Sequence, residues 1–310
     1  MARISRAVQN RGWHRNSENS GKYRMSNSPS SYPPIDALER SKLDAALEQS
    51  KSRLSAEQAQ RSAQRRARYA EDARIQERAR ELVFGDQLRS KEVELKQLSE
   101  DRRKLIEGRP TLVRRPLLTK GLLQPSPTTP FTYGRFPPYD FTWTSGSGQG
   151  TETATTDGFI DLFVQGLGDE RRVGAAIGFW FQAAAQSPPV RRFGTSLSFS
   201  YEWSDNAFLY VADNHGHTQL MVWGVSENAW IARSGDQTPS WSDHVGWYES
   251  HHDSNPGAQA SEELLFNVQP NGWYQCWLVC SGYTFADHGV AGFSDSTVRM
   301  HVALGYVFVT

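Results

Sequence analysis

The sequence predicts a fold mixed by segment: a long α-helical coiled coil followed by an all-β sandwich head of jelly-roll type. Three observations predict it. Residues 35–108 hold no Pro and a single interior Gly, Gly85, and are dominated by Ala, Glu, Arg, Lys, Gln and Leu, the strongest helix formers. Nine of the ten Trp lie after residue 140, among frequent Gly and short β-branched or aromatic runs. Charge divides along the same lines. Residues 1–34 carry six basic side chains and one acid, and residues 125–310 carry seven Arg, no Lys and 18 acids, although the 310-residue chain sums to zero. That division excludes a uniform globule. Two Cys exclude a disulfide scaffold, and no run approaches the roughly 18 apolar residues of a spanning helix.

Residues 1–34 form a Ser-, Asn- and Arg-rich tail with few aliphatic side chains, too little apolar surface to offset ordering entropy. No apolar stretch follows the basic start, so no secretory signal is expected. The tail reads as solvated, as a contact for an acidic partner or nucleic acid, or as a peptide docking on a larger assembly through Trp13 and Tyr23.

The helical segment opens after Pro33-Pro34 and closes at Gly108 before Pro110. Leu43, Leu47 and Leu54, then Ile75, Ala79 and Leu82, then Leu88, Leu95, Leu98 and Leu105 fall at heptad-like steps. A coiled-coil homo-oligomer, with a trimer preferred, is the expectation; a lone helix or a hairpin folding at Gly85 are the alternatives. Residues 109–150 read as a proline and aromatic strap ending in the flexible linker Ser145-Gly-Ser-Gly-Gln-Gly150.

In the head, 151–310, Val298, Met300, Val302, Leu304, Tyr306 and Phe308 occupy alternate positions, as do Leu197, Phe199, Tyr201 and Trp203. About eight strands joined by Gly-, Asn- and Asp-bearing turns suit a two-sheet sandwich. Cys276 and Cys280 lie four apart on one strand, about 13 Å from each other, so two buried thiols are expected.

Two groups of side chains carry chemistry. His215 and His217, with Asp213 beside them, share a strand face and suit a borderline metal, although Asn214-His-Gly-His also reads as a turn. Trp223, Trp230, Trp241, Asp243, Trp247 and Tyr248 bring aromatic rings among planar polar groups, the pattern a surface glycan needs; the same rings equally fill a core. Asp253-Ser-Asn255-Pro-Gly257 reads as an Asx turn rather than a calcium loop. Nucleophile elbows and phosphate-binding glycine loops are absent from the sequence, so no catalytic residues and no cofactor are expected.

Tail, rod, strap and β head in that order resemble the plan of trimeric fibre and receptor-binding proteins of bacteriophages. The resemblance lies in architecture alone and transfers no site residues. It implies a non-enzymatic structural and binding protein of a virion or extracellular particle, assembled in the cytoplasm. Its partners would be itself, a larger assembly through residues 1–34, and surface glycans or neighbouring subunits, with no membrane. The competing expectations are a jelly-roll capsid or shell protein with a nucleic-acid-facing N-terminus, and a metal-dependent enzyme centred on His215 and His217.

Overall fold

The computed structural model describes residues 37–84, 97, 133–147, 150–166, 170–208, 210–246, 249–287 and 293–310. Helix side chains are described for 37–61, 63 and 64. The chain divides into two units, Met1–Arg40 and Ser41–Thr310. In the first, the described residues 37–40 are helical. The expectations for tail residues 1–34, for the rod beyond Phe84 and for strap residues 109–132 lie outside the described residues.

Helix α1 spans Ala37–Phe84. Twelve strands follow among the described residues: β1 Tyr133–Arg135, β2 Phe141–Ser147, β3 Gly150–Ala154, β4 Phe159–Gly166, β5 Glu170–Gln182, β6 Val190–Phe208, β7 Ala212–Gly224, β8 Ala229–Arg233, β9 Gln237–Val245, β10 Glu249–Asn267, β11 Trp273–Ala286 and β12 Phe293–Val309. They form two antiparallel six-stranded sheets. Sheet A runs β10-β6-β12-β4-β3, with β1 also on β12; sheet B runs β2-β5-β11-β7-β8, with β9 also on β7. Take β4, β5, β6, β7, the divided β8/β9, β10, β11 and β12 as eight consecutive strands. One sheet then takes the first, eighth, third and sixth, and the other the second, seventh, fourth and fifth. That interleaving is the jelly-roll order.

The sandwich core lies between the sheets. From sheet A come Ile160, Leu162, Val164, Phe193, Leu197, Phe199, Val298, Met300 and Val302; from sheet B come Val173, Ile177, Phe179, Leu220, Val222, Tyr274, Cys276, Leu278 and Cys280. Both cysteines are free and buried, and burial raises both thiol pKa values. At the end of β12 the apolar alternation changes face. A register shift between Leu304 and Tyr306 sends Val307 and Val309 into the core. Phe308 then lies over Gly194 of β6, and Tyr306 over Gly134 of β1, positions that only a glycine leaves open.

Sheet B is apolar on both faces. Along β11 the even residues enter the sandwich, while Trp277 and Val279 point outward with Phe141, Trp143, Ala176 and Met221. This second apolar face is covered by α1. Leu43, Ala46, Ser50 and Leu54 are buried, at spacings of three and four that place them on one helical stripe. Leu54 belongs to the outer cluster, with Leu47 packed against it. Polar contacts fix the crossing. Ser50 donates to Gln275 Oε1 at 2.6 Å, and Arg233 of β8 grips Glu57 through two hydrogen bonds of 2.7 and 2.6 Å. Gln58 fills the space over Gly174, where any Cβ would collide.

These contacts correct the expected rod-then-head fold. The described helix forms no long coiled coil, because the leucines read as a heptad seam pack on the β-sheet of their own chain. Spacings of three and four mark an apolar stripe but do not say whether its partner is a helix or a sheet. The sandwich also starts earlier than residue 151. β1 and β2 lie within the expected strap, and Ser145-Gly146-Ser147 is strand, paired with Gly174, Val173 and Arg172 of β5.

Leu54 is 4% exposed, so Leu54→Ala should destabilise the protein by about 2–4 kcal/mol through lost burial and a residual cavity. Urea unfolding of the full chain checks this. An unchanged midpoint would show that the helix contributes nothing to the stability of the sandwich.

Candidate functional site

β7 carries Asp213, His215 and His217 on alternate positions. They face outward with Met221, the side that α1 covers. Asn214-His-Gly-His is therefore strand interior and not a turn. Gly216 has a packing role: the Trp241 ring lies directly over it, where a Cβ would overlap the indole.

His215 and His217 converge on Asp236 rather than on Asp213. His215 Nε2 lies 3.3 Å from Asp236 Oδ2, and His217 Nε2 lies 3.7 Å from Asp236 Oδ1. The two imidazole centroids are 4.7 Å apart. One ligand atom from each of the three residues falls within 4.8 Å of the others. Asp213 sits two positions from His215, about 7 Å along an extended chain. Asp236 ends the β8–β9 connection, immediately before Gln237, which pairs with Thr218; a register shift between His217 and Thr218 brings that connection onto the histidines. The sequence marks Asp236 only as a polar turn residue in Ser-Gly-Asp-Gln, so its role depends on pairing that no local pattern reveals.

A cavity of about 50 Å³ opens beside this group, lined by His215, His217, Arg172, Tyr283 and the helix residues Gln58 and Arg61. That volume holds an ion or a few waters, not an oligosaccharide. His217 is nearly buried and Asp236 half exposed, with side-chain exposures of 7% and 43%.

The residues expected to face a glycan separate into two places. Trp223 is 0% exposed. Trp230 meets it edge-on, with centroids 5.1 Å apart and planes at 84°, and Arg53 of α1 lies over the Trp223 ring at 5.4 Å. Both indoles belong to helix–sheet packing. Trp241 and Asp243, on β9, lie instead at the seam where the edge of sheet B approaches β10 of sheet A. Trp247 and Tyr248 lie outside the described residues.

At that seam Trp241 stacks on Tyr201 with centroids 4.7 Å apart and planes at 23°, and its indole N–H donates to Asn214 Oδ1 at 2.7 Å. Around this aromatic pair stand further polar side chains. Tyr201 donates its hydroxyl to Asp253 at 3.0 Å. His251 Nδ1 lies 3.1 Å from Asp243 Oδ2. Register explains the convergence. On β10, His251, Asp253 and Asn255 pair with Asp205, Trp203 and Tyr201 of β6, which puts alternate polar side chains on the inward face as the sandwich opens. The Asx turn read at Asp253–Gly257 forms, with Gly257 N–H donating to Asn255 Oδ1 at 3.0 Å, and it makes the β10 bulge between Asn255 and Ala258.

Two acids lie buried beneath the seam. Asp205 is 0% exposed; burial lifts its pKa to about 8, with the nearby Asp243 and Asp213 adding to the rise and hydrogen bonds from Ser296 and Asn214 opposing it. Glu262 faces Thr218, whose hydroxyl donates to it at 3.0 Å, and burial lifts its pKa to about 7.

The chain matches no protein-family model and no curated protein. Among solved structures it is similar to the carbohydrate-binding module TmCBM61 in complex with beta-1,4-galactotriose, at 12% identity, with 53% of this chain and 88% of that chain covered and a TM-score of 0.16. It is also similar to a chain of infectious bursal disease virus Gx strain, at 13% identity, covering 57% of this chain and 36% of that one with a TM-score of 0.15. A chain of the Gt strain gives 12% identity, coverage of 65% and 45%, and a TM-score of 0.11. Less than half of each viral chain is spanned. Likenesses at these TM-scores carry no functional argument.

The raised acids set a pH dependence. Asp205 and Glu262 hold folded-state values of about 8 and about 7 against ordinary values of 3.8 and 4.5. The unfolded chain therefore releases these protons first as pH rises. Stability should be full near pH 4, fall between about pH 4 and pH 8, and then level off. Melting should occur at least about 3 °C lower at pH 8 than at pH 5, and Asp205→Asn with Glu262→Gln should flatten the profile. Calorimetry across that range checks it, and an unchanged slope in the double variant would refute the assignment.

Proposed function

We propose that the protein is a non-enzymatic binding protein whose β-sandwich engages surface carbohydrate at the seam between β9 and β10. One observation carries this reading: the Tyr201–Trp241 pair stands among the exposed His251 and Asp253 and the partly exposed carboxylate of Asp243. Carboxylate and amide oxygens accept from sugar hydroxyls, and an array already held by Tyr201 and His251 loses little entropy on binding. Trp241 acts as the wall of the site rather than as a stacking face, since Tyr201 covers one side and Gly216 the other. Trp247 and Tyr248, close to Asp243 in sequence, are the candidates for apolar contact with the sugar.

Glycan-array screening of the full chain, followed by calorimetric titration of the hits, tests this. Asp243→Asn with Asp253→Asn should weaken binding at least tenfold while leaving the melting temperature within about 2 °C, because Asp253 is exposed and Asn keeps the shape of the partly buried Asp243, whose side chain is 20% exposed. Absence of any bound glycan, or undiminished binding by the double variant, overturns the proposal.

A second reading, assembly with neighbouring subunits, is favoured by Val190 and Leu265, which are 50% and 65% exposed and lie close together across the β6–β10 pairing. Leu265→Glu should then lower the solution mass measured by light scattering. A wild-type chain that is monomeric throughout the accessible concentration range excludes it.

A further inference from the structure

We infer that His215, His217 and Asp236 form a binding site for a divalent borderline cation of the zinc class, with an anionic oxygen ligand completing the coordination. Three ligand atoms approach within 4.8 Å of one another. The donor set is two imidazoles and one carboxylate, which suits Zn, Co or Fe rather than Ca or Mg. In a tetrahedral site with bonds of about 2.0–2.1 Å, neighbouring ligand atoms stand roughly 3.3 Å apart. His215 and His217 lie 3.3 and 3.7 Å from different oxygens of Asp236, so a turn of the half-exposed carboxylate and a closing of donors already within 4.8 Å of one another would complete that geometry.

The setting also fits. Both histidines project from a paired strand with β11 on one side and β9 on the other, so their backbone positions are rigid. Asp236 comes from a connection, and its half-exposed side chain can complete or release the site. Three protein ligands leave a fourth position open, as in metal sites that take an exogenous ligand. That position opens on the small cavity whose lining includes Arg61 and Arg172. Two guanidinium groups beside a dication would repel it if the remaining ligand were neutral. A phosphate or carboxylate oxygen on the metal offsets that charge and offers the guanidiniums a bidentate partner. The cavity admits a group of that size.

Two further histidine–carboxylate pairs, His251 with Asp243 and His301 with Asp161, lack a third donor among the described residues, and the first serves as the internal control. The full chain, stripped of metal and titrated with Co²⁺ at neutral pH, should bind one equivalent and develop the intense visible absorption of tetrahedral cobalt. Zn²⁺ should bleach that signal. Asp236→Asn should weaken binding at least tenfold with the apo melting temperature unchanged, since the residue is half exposed; His217→Ala should abolish it; His251→Ala should leave it intact. Inorganic phosphate at millimolar concentration should tighten Co²⁺ binding, and Arg172→Gln should remove that effect. No cobalt signal, or a signal that survives Asp236→Asn and His217→Ala while disappearing with His251→Ala, overturns the site. Phosphate-insensitive binding overturns the anionic ligand.

Discussion

A sheet that is apolar on both faces needs two covers, and the arrangement of this molecule follows from that requirement. β11 shows it most plainly: Tyr274, Cys276, Leu278 and Cys280 enter the sandwich while Trp277 and Val279 leave it on the opposite side. Sheet A covers the first face. The second would expose Trp143, Trp277 and Met221 to water, at roughly 1.5–3 kcal/mol for each large side chain, and α1 meets the need. The helix is held in place by a buried serine–glutamine contact and a two-pronged arginine–glutamate grip. Its position in turn defines the cavity beside His215 and His217. The apolar stripe ends near Leu54, and one helical turn later Glu57, Gln58 and Arg61 present polar side chains where β7 presents His215 and His217.

Polarity inside the sandwich is graded along its length. Aliphatic and aromatic side chains fill the centre, whereas one end holds Asp205 and Asn214, both inaccessible. Asn214 lies at the junction, donating to Asp205 and accepting from Trp241. A network of this kind fixes side-chain orientation by directional bonds where apolar contacts alone would leave several packings open. It also gives the exposed seam a rigid foundation, because Trp241 cannot turn without breaking its bond to Asn214.

Much of this was legible in the sequence where a rule is local. Alternating apolar residues marked β12 and β6, the change in composition marked the sandwich, and the four-residue spacing of Cys276 and Cys280 excluded a disulfide. The errors fall where the answer depends on a distant partner. Leu43, Leu47 and Leu54 have the same spacing whether they meet another helix or a sheet. Asn214-His-Gly-His carries turn residues, yet Gly216 is there to admit an indole from β9. Tyr306 and Phe308 continue an apolar alternation that a register shift carries to the other face. Asp236 joins the histidines through the pairing of β9 with β7, which no spacing encodes. Trp223 and Trp230 satisfied an aromatic-and-polar pattern while serving as the surface on which the helix lies.

β10 has one further consequence. It ends its sheet over 19 residues, a length at which a free backbone edge would ordinarily invite another strand to join. Pro256 lacks an amide hydrogen, and the bulge between Asn255 and Ala258 turns the chain out of register at the middle of that edge. An incoming polypeptide would therefore meet two shorter ladders, out of register with each other, in place of one running the whole edge. A strand added along the full edge would need a bulge of its own at the matching place, so the edge discriminates against partners whose extended segments are regular.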